Sequence, residues 1–108
     1  MAKRPQTAPD SALTRFFEKA RANGSARLFT LPGGATLYRA GEPADTLYFL
    51  VAGRLGAFRR EEGQEQHFLG IIRPGEPAGE MALIAGTPHS ASLVALRDSE
   101  LLALPRDV

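Results

Sequence analysis

Glu80 and His89 are the residues of this chain whose types and spacing could do chemistry. They stand in RPGEPAGEMALIAGTPHSAS, residues 73–92. Gly79 and Glu80 open a short apolar run, Met81 to Ala85. Gly86, Thr87 and Pro88 then turn the chain, and His89 follows among small residues. The run is too short for an ordinary helix, and Pro77 and Gly79 just before it argue against a strand. The pattern predicts about one turn of helix that starts at a glycine and carries an acid.

The inventory points to recognition rather than catalysis. His67 and His89 are the only histidines, too far apart in sequence for the His-x-His set with a later Glu and a further His that a cupin-type metal enzyme needs. There is no Gly-x-Ser-x-Gly turn to expose a nucleophilic serine, and no cysteine to act as nucleophile or thiolate ligand. The chain is therefore expected not to be an enzyme and to hold no metal or cofactor.

The 108 residues suit one domain, with little room for a second. Apolar residues make up 44%, enough for one core, charged residues 23%, and the formal net charge is +1. This balance supplies no bulk field for nucleic acid or an anionic membrane, and neither is expected as a direct partner. Leu47 to Ala52 is the longest clearly apolar run, far short of the ~20 residues that span a bilayer. Residues 1–9 are basic with no apolar core behind them, so they are not a secretory signal, and a flexible arm is expected there. The absence of cysteine fits a reducing compartment, and the domain is expected to be cytoplasmic.

The elements that must position Glu80 and His89 can be read from the spacing. Asp10 or Ser11 can cap a helix over about 11–22, with Leu13, Phe16, Phe17 and Ala20 on one buried face. Lys19 and Arg21 suit its last turn, and Asn23-Gly24 ends it. Beyond Gly24, short apolar and β-branched runs alternate with turn residues. Strands are predicted over 27–31, 36–39, 47–52, 55–60, 66–72, 91–96 and 100–104. Evenly spaced short strands predict a β-sandwich or barrel behind a leading helix. The fifth strand is apolar on both faces (Phe68, Leu69, Ile71, Ile72), so its outer face is expected to rest on a helix or on another part of a larger protein. His67, beside Phe68, reads as structural. The end, Pro105-Arg106-Asp107-Val108, resembles a helix start, and residues 10–108 are expected to be one domain of a longer protein.

Against that strand pattern, GEPAGEMALIAGTPHSAS resembles the phosphate-binding cassette of the cyclic-nucleotide-binding domain family. LFTLPGGATLYRAGEPADTLYFLVAGRL is similar to the first half of the same domain, down to Gly34, Gly41 and Gly53. The likeness runs from about residue 11 to 108. It implies a mainly β fold: a jelly-roll-like β-barrel with flanking short helices, an α-helix at the N-terminus and a short one in the cassette. It also implies cAMP or cGMP as ligand and Gly79, Glu80, Met81, Ala82, His89, Ser90 and Ala91 as the ligand-binding set. Glu80 would accept the ribose 2′-hydroxyl, the N–H groups of Ala82 and Ala91 would hold the cyclic phosphate, and the Ser90 hydroxyl would touch phosphate or base.

Free N–H groups at a helix start favour an anion, and a side chain at position 79 would block close approach. A carboxylate beside a phosphate needs a positive group to offset it. The family supplies an arginine directly after the proline, where this chain has His89; the family's bulky residue before the Gly-Glu pair is replaced by Ala78. Histidine lacks the guanidinium fork and is mostly neutral at pH 7, its ordinary pKa being ~6.5. Arg73 and Arg97 are candidate substitutes. His89 is thus either a pH-sensitive phosphate contact or a solvent-facing turn residue. Glu80 is either the ribose acceptor or a favourable first-turn charge, while Ser90 and Ser92 read more readily as local hydrogen-bonding groups.

Two functions follow from the resemblance. One is a regulatory domain that binds a cyclic nucleotide weakly if at all. The other is a degenerate, non-binding domain that acts by contacting its neighbours in a larger protein, such as a transcription factor or a patatin-like lipase. The expected partners are a cyclic nucleotide and an effector domain of the full-length protein, and a homodimer is left open.

Overall fold

The computed structural model describes residues 10–105. Expectations on the arm 1–9, on a helix start near Asp107, and on the side chains of Asp10, Ser11 and Leu13 lie outside what is described. Helix α1 spans Asp10–Ala22. The strands are β1 (Arg27–Leu31), β2 (Thr36–Tyr38), β3 (Thr46–Ala52), β4 (Leu55–Arg59), β5 (His67–Ile72), β6 (Pro77–Ala78), β7 (Ser92–Ala95) and β8 (Ser99–Pro105), with α2 (Glu80–Ala85) between β6 and β7. Strand β6 is the element that sequence reading missed, because two residues wedged between Gly75 and Gly79 carry no period.

The strands form two four-stranded antiparallel sheets, ordered β1-β8-β3-β6 and β2-β7-β4-β5. No ladder joins the sheets among the described residues. The expected jelly-roll-like β architecture is present as two facing sheets rather than a barrel closed by hydrogen bonds. Between them lie Leu31, Leu50, Leu55, Ala78, Leu93, Ala95 and Leu101. Side chains alternate across a strand, so β8 sends Leu101 inward and Leu102 and Leu104 outward. Those outward residues meet α1, where Phe17 stacks on Phe49 with centroids 4.8 Å apart. Strand β8 is apolar from Leu101 to Leu104, where both of its faces are covered.

One packing expectation is corrected, and another keeps only its alternative of a partner outside this chain. Phe17 and Ala20 are buried, but Phe16 is 49% exposed and turns away from the sheet. Helix α1 covers β3 and β8, on the sheet that does not contain β5, so Phe68 and Leu69 stay 55% and 47% exposed. Only Ile72 of that strand packs against the inner core. His67 opens β5 opposite Arg59 on β4, and its side chain is exposed.

The corner between β3 and β4 shows how tightly the two sheets are tied. Gly53 has φ 103°, and a Cβ there would lie 2.6 Å from Ser99 Cα. The Ser99 hydroxyl accepts from the Arg54 N–H and donates to the Arg97 carbonyl. Only glycine combines that dihedral with that approach.

Candidate functional site

The cassette is built where β6 meets α2. Ala78 pairs with Tyr48 on β3 and is buried in the inner core. Gly79 then turns the chain with φ 86° and ψ 3°, and no side chain caps the helix. A Cβ at Gly79 would lie 3.2 Å from His89 Cε1, 3.5 Å from the Thr46 carbonyl oxygen and 3.6 Å from Tyr38 Cε2. The predicted short helix is present as Glu80–Ala85, ended by Gly86 at φ 71°. The Ala82 carbonyl accepts from both Gly86 N–H and Thr87 N–H, at 2.9 and 3.1 Å, which turns the chain towards His89.

Met81 is 72% exposed and points away from the sheets, as Ile84 does at 80%. Gly79, Glu80, Ala82 and Ala91 are half-buried, and Ser90 is exposed. The Ser92 hydroxyl accepts from the Ala40 N–H at 2.9 Å, a long-range bond between the start of β7 and the residues after β2 rather than the local one expected of it.

His89 is not a solvent-facing turn residue. It is 6% exposed, and its ring lies on that of Tyr38 with centroids 3.5 Å apart and planes 8° apart. Its backbone is pinned on both sides: its N–H donates to the Glu42 carbonyl at 3.0 Å and its carbonyl accepts from Gly41 N–H at 2.8 Å. Burial pushes the imidazole below its ordinary pKa, against the opposing pull of Glu42 and Asp45. In the free chain His89 is therefore a neutral ring at pH 7.

Tyr38 is the site residue that sequence reading missed. It sits at the end of an inward row across the second sheet, through Leu93 and Ala57 to Gly70. Its phenol is pushed up to about 12 by burial, then by the nearby Glu80 carboxylate and by Tyr48. Tyr48 stands 6.2 Å from it, centroid to centroid. Burial raises the Tyr48 phenol too, Asp45 and Glu42 adding to the rise and a hydrogen bond with Thr46 opposing it. The far end of the row is small, and a Cβ added at Gly70 meets nothing within 4 Å. The signal for Tyr38 was its inward parity in a strand; the ring it would meet was not readable.

The substitute cations are elsewhere. Arg97 lies past the far end of β7 from His89, where its backbone faces Gly33. Arg73 is exposed in the β5–β6 turn, its N–H bonded to Glu76. Among the described residues, no arginine or lysine side chain bonds or pairs with Glu80, Tyr38, Glu42 or Asp45. The arrangement is a largely buried, neutral-to-acidic cluster with a carboxylate acceptor, two phenols and an imidazole. No set of His, Cys, Asp or Glu that could hold a metal occurs among the described residues.

The model of the cyclic nucleotide-binding domain family matches residues 28–108. The cyclic AMP receptor protein of Thermus thermophilus is 38% identical over 76 residues, covering 70% of this chain and 35% of that protein. The regulatory subunit of cAMP-dependent protein kinase from Aspergillus fumigatus is 33% identical over 92 residues, covering 84% of this chain and 21% of that protein. The crystal structure of the catabolite activator protein of Thermus thermophilus superposes with a TM-score of 0.74 at 34% identity, over 83% of this chain and 42% of that one. The chain thus spans only a fifth to about two fifths of these proteins' lengths.

Proposed function

This chain belongs to the cyclic nucleotide-binding domain family, and we propose that residues 10–108 are a regulatory ligand-sensing domain of a longer cytoplasmic protein, coupled to an effector domain and binding cAMP or cGMP weakly at neutral pH. The observation that carries the weakness is the buried His89 ring stacked on Tyr38, with a cassette that holds no cation among the described residues. In this reading Gly79 admits the ligand, Glu80 accepts the 2′-hydroxyl, and backbone N–H groups at Ala82 and Ala91 meet the phosphate. Met81, Ser90 and His89 border it. In this reading the role of the domain is recognition of the ligand.

Loss of one charge-assisted contact weakens binding by roughly ten to a hundredfold. His89 can restore part of it only when protonated. A phosphate would raise the His89 pKa in the complex, so affinity for a cyclic nucleotide should climb as pH falls through the complex's pKa and level off below that of the free chain. Titration calorimetry with cAMP and cGMP at pH 7.5 and 5.5 tests this. Weak binding that strengthens in acid supports it, and micromolar or tighter binding at pH 7.5 overturns it.

The Tyr38–His89 stack also favours a second reading, in which the cassette is filled by its own side chains and the domain acts by contact with a neighbouring domain. A ligand that binds only the folded chain must raise its melting temperature. Silence of cyclic nucleotides and nucleosides alike, at millimolar concentration and at both pH values, selects this second reading.

A further inference from the structure

The charge around the cassette is one-sided. From α2 comes the Glu80 carboxylate, which adds to the rise that burial gives the Tyr38 phenol. From the β2–β3 connection come Glu42 and Asp45, both acting on His89 and Tyr48. Strands β2 and β3 present the neutral phenols of Tyr38 and Tyr48, and the segment before β7 presents the neutral imidazole of His89. One Glu42 carboxylate oxygen accepts from the Arg39 backbone N–H at 3.2 Å. The Thr46 hydroxyl donates to the Asp45 carboxylate at 3.1 Å, and no cationic side chain among the described residues pairs with any of the three acids. An anion entering the cassette loses hydration and meets carboxylates, whereas an uncharged ligand gives up far less.

The neutral groups fit an uncharged ligand with hydroxyls and a flat ring. Glu80 accepts hydroxyl protons, and no hydrogen bond occupies the Tyr38 hydroxyl among the described residues. The inward row runs through Ala57 to Gly70, where an added Cβ would meet nothing within 4 Å, so its far end carries no bulky side chain. We infer that the cassette takes an uncharged ribonucleoside in preference to the corresponding cyclic phosphate. This rests on reading the cassette as a ligand site and narrows the class of ligand it admits.

The test uses the unmodified 108-residue chain. Adenosine, guanosine, 2′-deoxyadenosine, cAMP and cGMP are titrated by calorimetry at pH 7.5, at low and high salt. A nucleoside should bind at least about tenfold more tightly than its cyclic phosphate, a difference of about 1.4 kcal/mol. 2′-Deoxyadenosine should bind more weakly than adenosine, since Glu80 loses its partner. Salt should strengthen cAMP binding by screening the acids and leave adenosine unmoved. His89→Arg should reverse the preference in favour of the cyclic phosphate. Cyclic nucleotides binding as tightly as nucleosides would overturn the inference while leaving the cassette a ligand site. If none of the five ligands binds, the cassette is not a ligand site, and the inference falls with that reading.

Discussion

The imidazole of His89 lies flat on the phenol of Tyr38, 3.5 Å between centroids, although 50 residues separate them in the chain. Strand β2 carries the one and the segment leading into β7 the other, and pairing of β2 with β7 brings them together. The contact fills the ground between Gly79 and the second sheet, so it governs both the stability of the cassette and what can enter it.

Removing the phenol should free the imidazole. Tyr38→Ala opens His89 to water, and its pKa should rise from its lowered value towards ~6.5. The substitution should cost about 2–4 kcal/mol of stability, as for other large-to-small changes at packed sites. Following the His89 ring resonance against pH by NMR reads the first effect, and urea denaturation reads the second. An unmoved pKa would show that the stack is not what keeps His89 dry.

The same burial gives a pH dependence of folding. The folded chain holds His89 below 6.5, so the unfolded chain takes up its proton first. Stability from this group is therefore fully present above about pH 6.5 and declines as pH falls below it. Urea midpoints at pH 7.5 and 5.5 should drop more for the native chain than for His89→Gln. Equal drops in the two proteins would assign the acid sensitivity to other groups.

His89→Arg should raise affinity for cAMP or cGMP by about ten to a hundredfold, through one charge-assisted, bidentate contact. A guanidinium can also lie on the Tyr38 ring, so the substitution is compatible with the local packing. Adding Glu80→Ala should remove much of that gain. Calorimetry on the single and double variants reads both steps, and an unmeasurable affinity in the His89→Arg protein would place the loss elsewhere in the pocket.

Two glycines separate dihedral strain from steric approach. Gly24 has φ 87° with nothing within 4 Å of an added Cβ, whereas Gly53 has φ 103° with Ser99 pressed against it. Gly24→Ala should cost about 1–2 kcal/mol, the penalty of a left-handed backbone alone. Gly53→Ala should cost distinctly more, because the β3–β4 corner must move off Ser99. Denaturation midpoints compare them directly, and equal losses would mean that the corner relaxes freely.

Much of the site's framework was legible because it is local chemistry. A left-handed turn needs glycine, so Gly79 and Gly86 bracket the short helix in the sequence as in space. A stretch between two covered faces needs apolar residues, and Leu101 to Leu104 of β8 supply them. The limits of legibility are equally physical. Adjacent Phe16 and Phe17 fit the same helical period within a residue, and only the presence of Phe49 beneath α1 selects Phe17. Strand β5 has the composition of a doubly covered strand, yet its outer side chains remain exposed, because α1 packs on the opposite sheet.

The sequence by itself determined the mainly β class, the leading helix, the places of the turns and the short helix between Gly79 and Gly86, since each follows from dihedral limits and side-chain periods within a few residues. Only the tertiary structure decided that His89 is buried and neutral, that its neighbour is Tyr38, and that the acids around it stand without a cation among the described residues. Those properties depend on which distant strands pair and in what register. The free energy that settles them is spread over the whole inner core rather than held by the residues of the site.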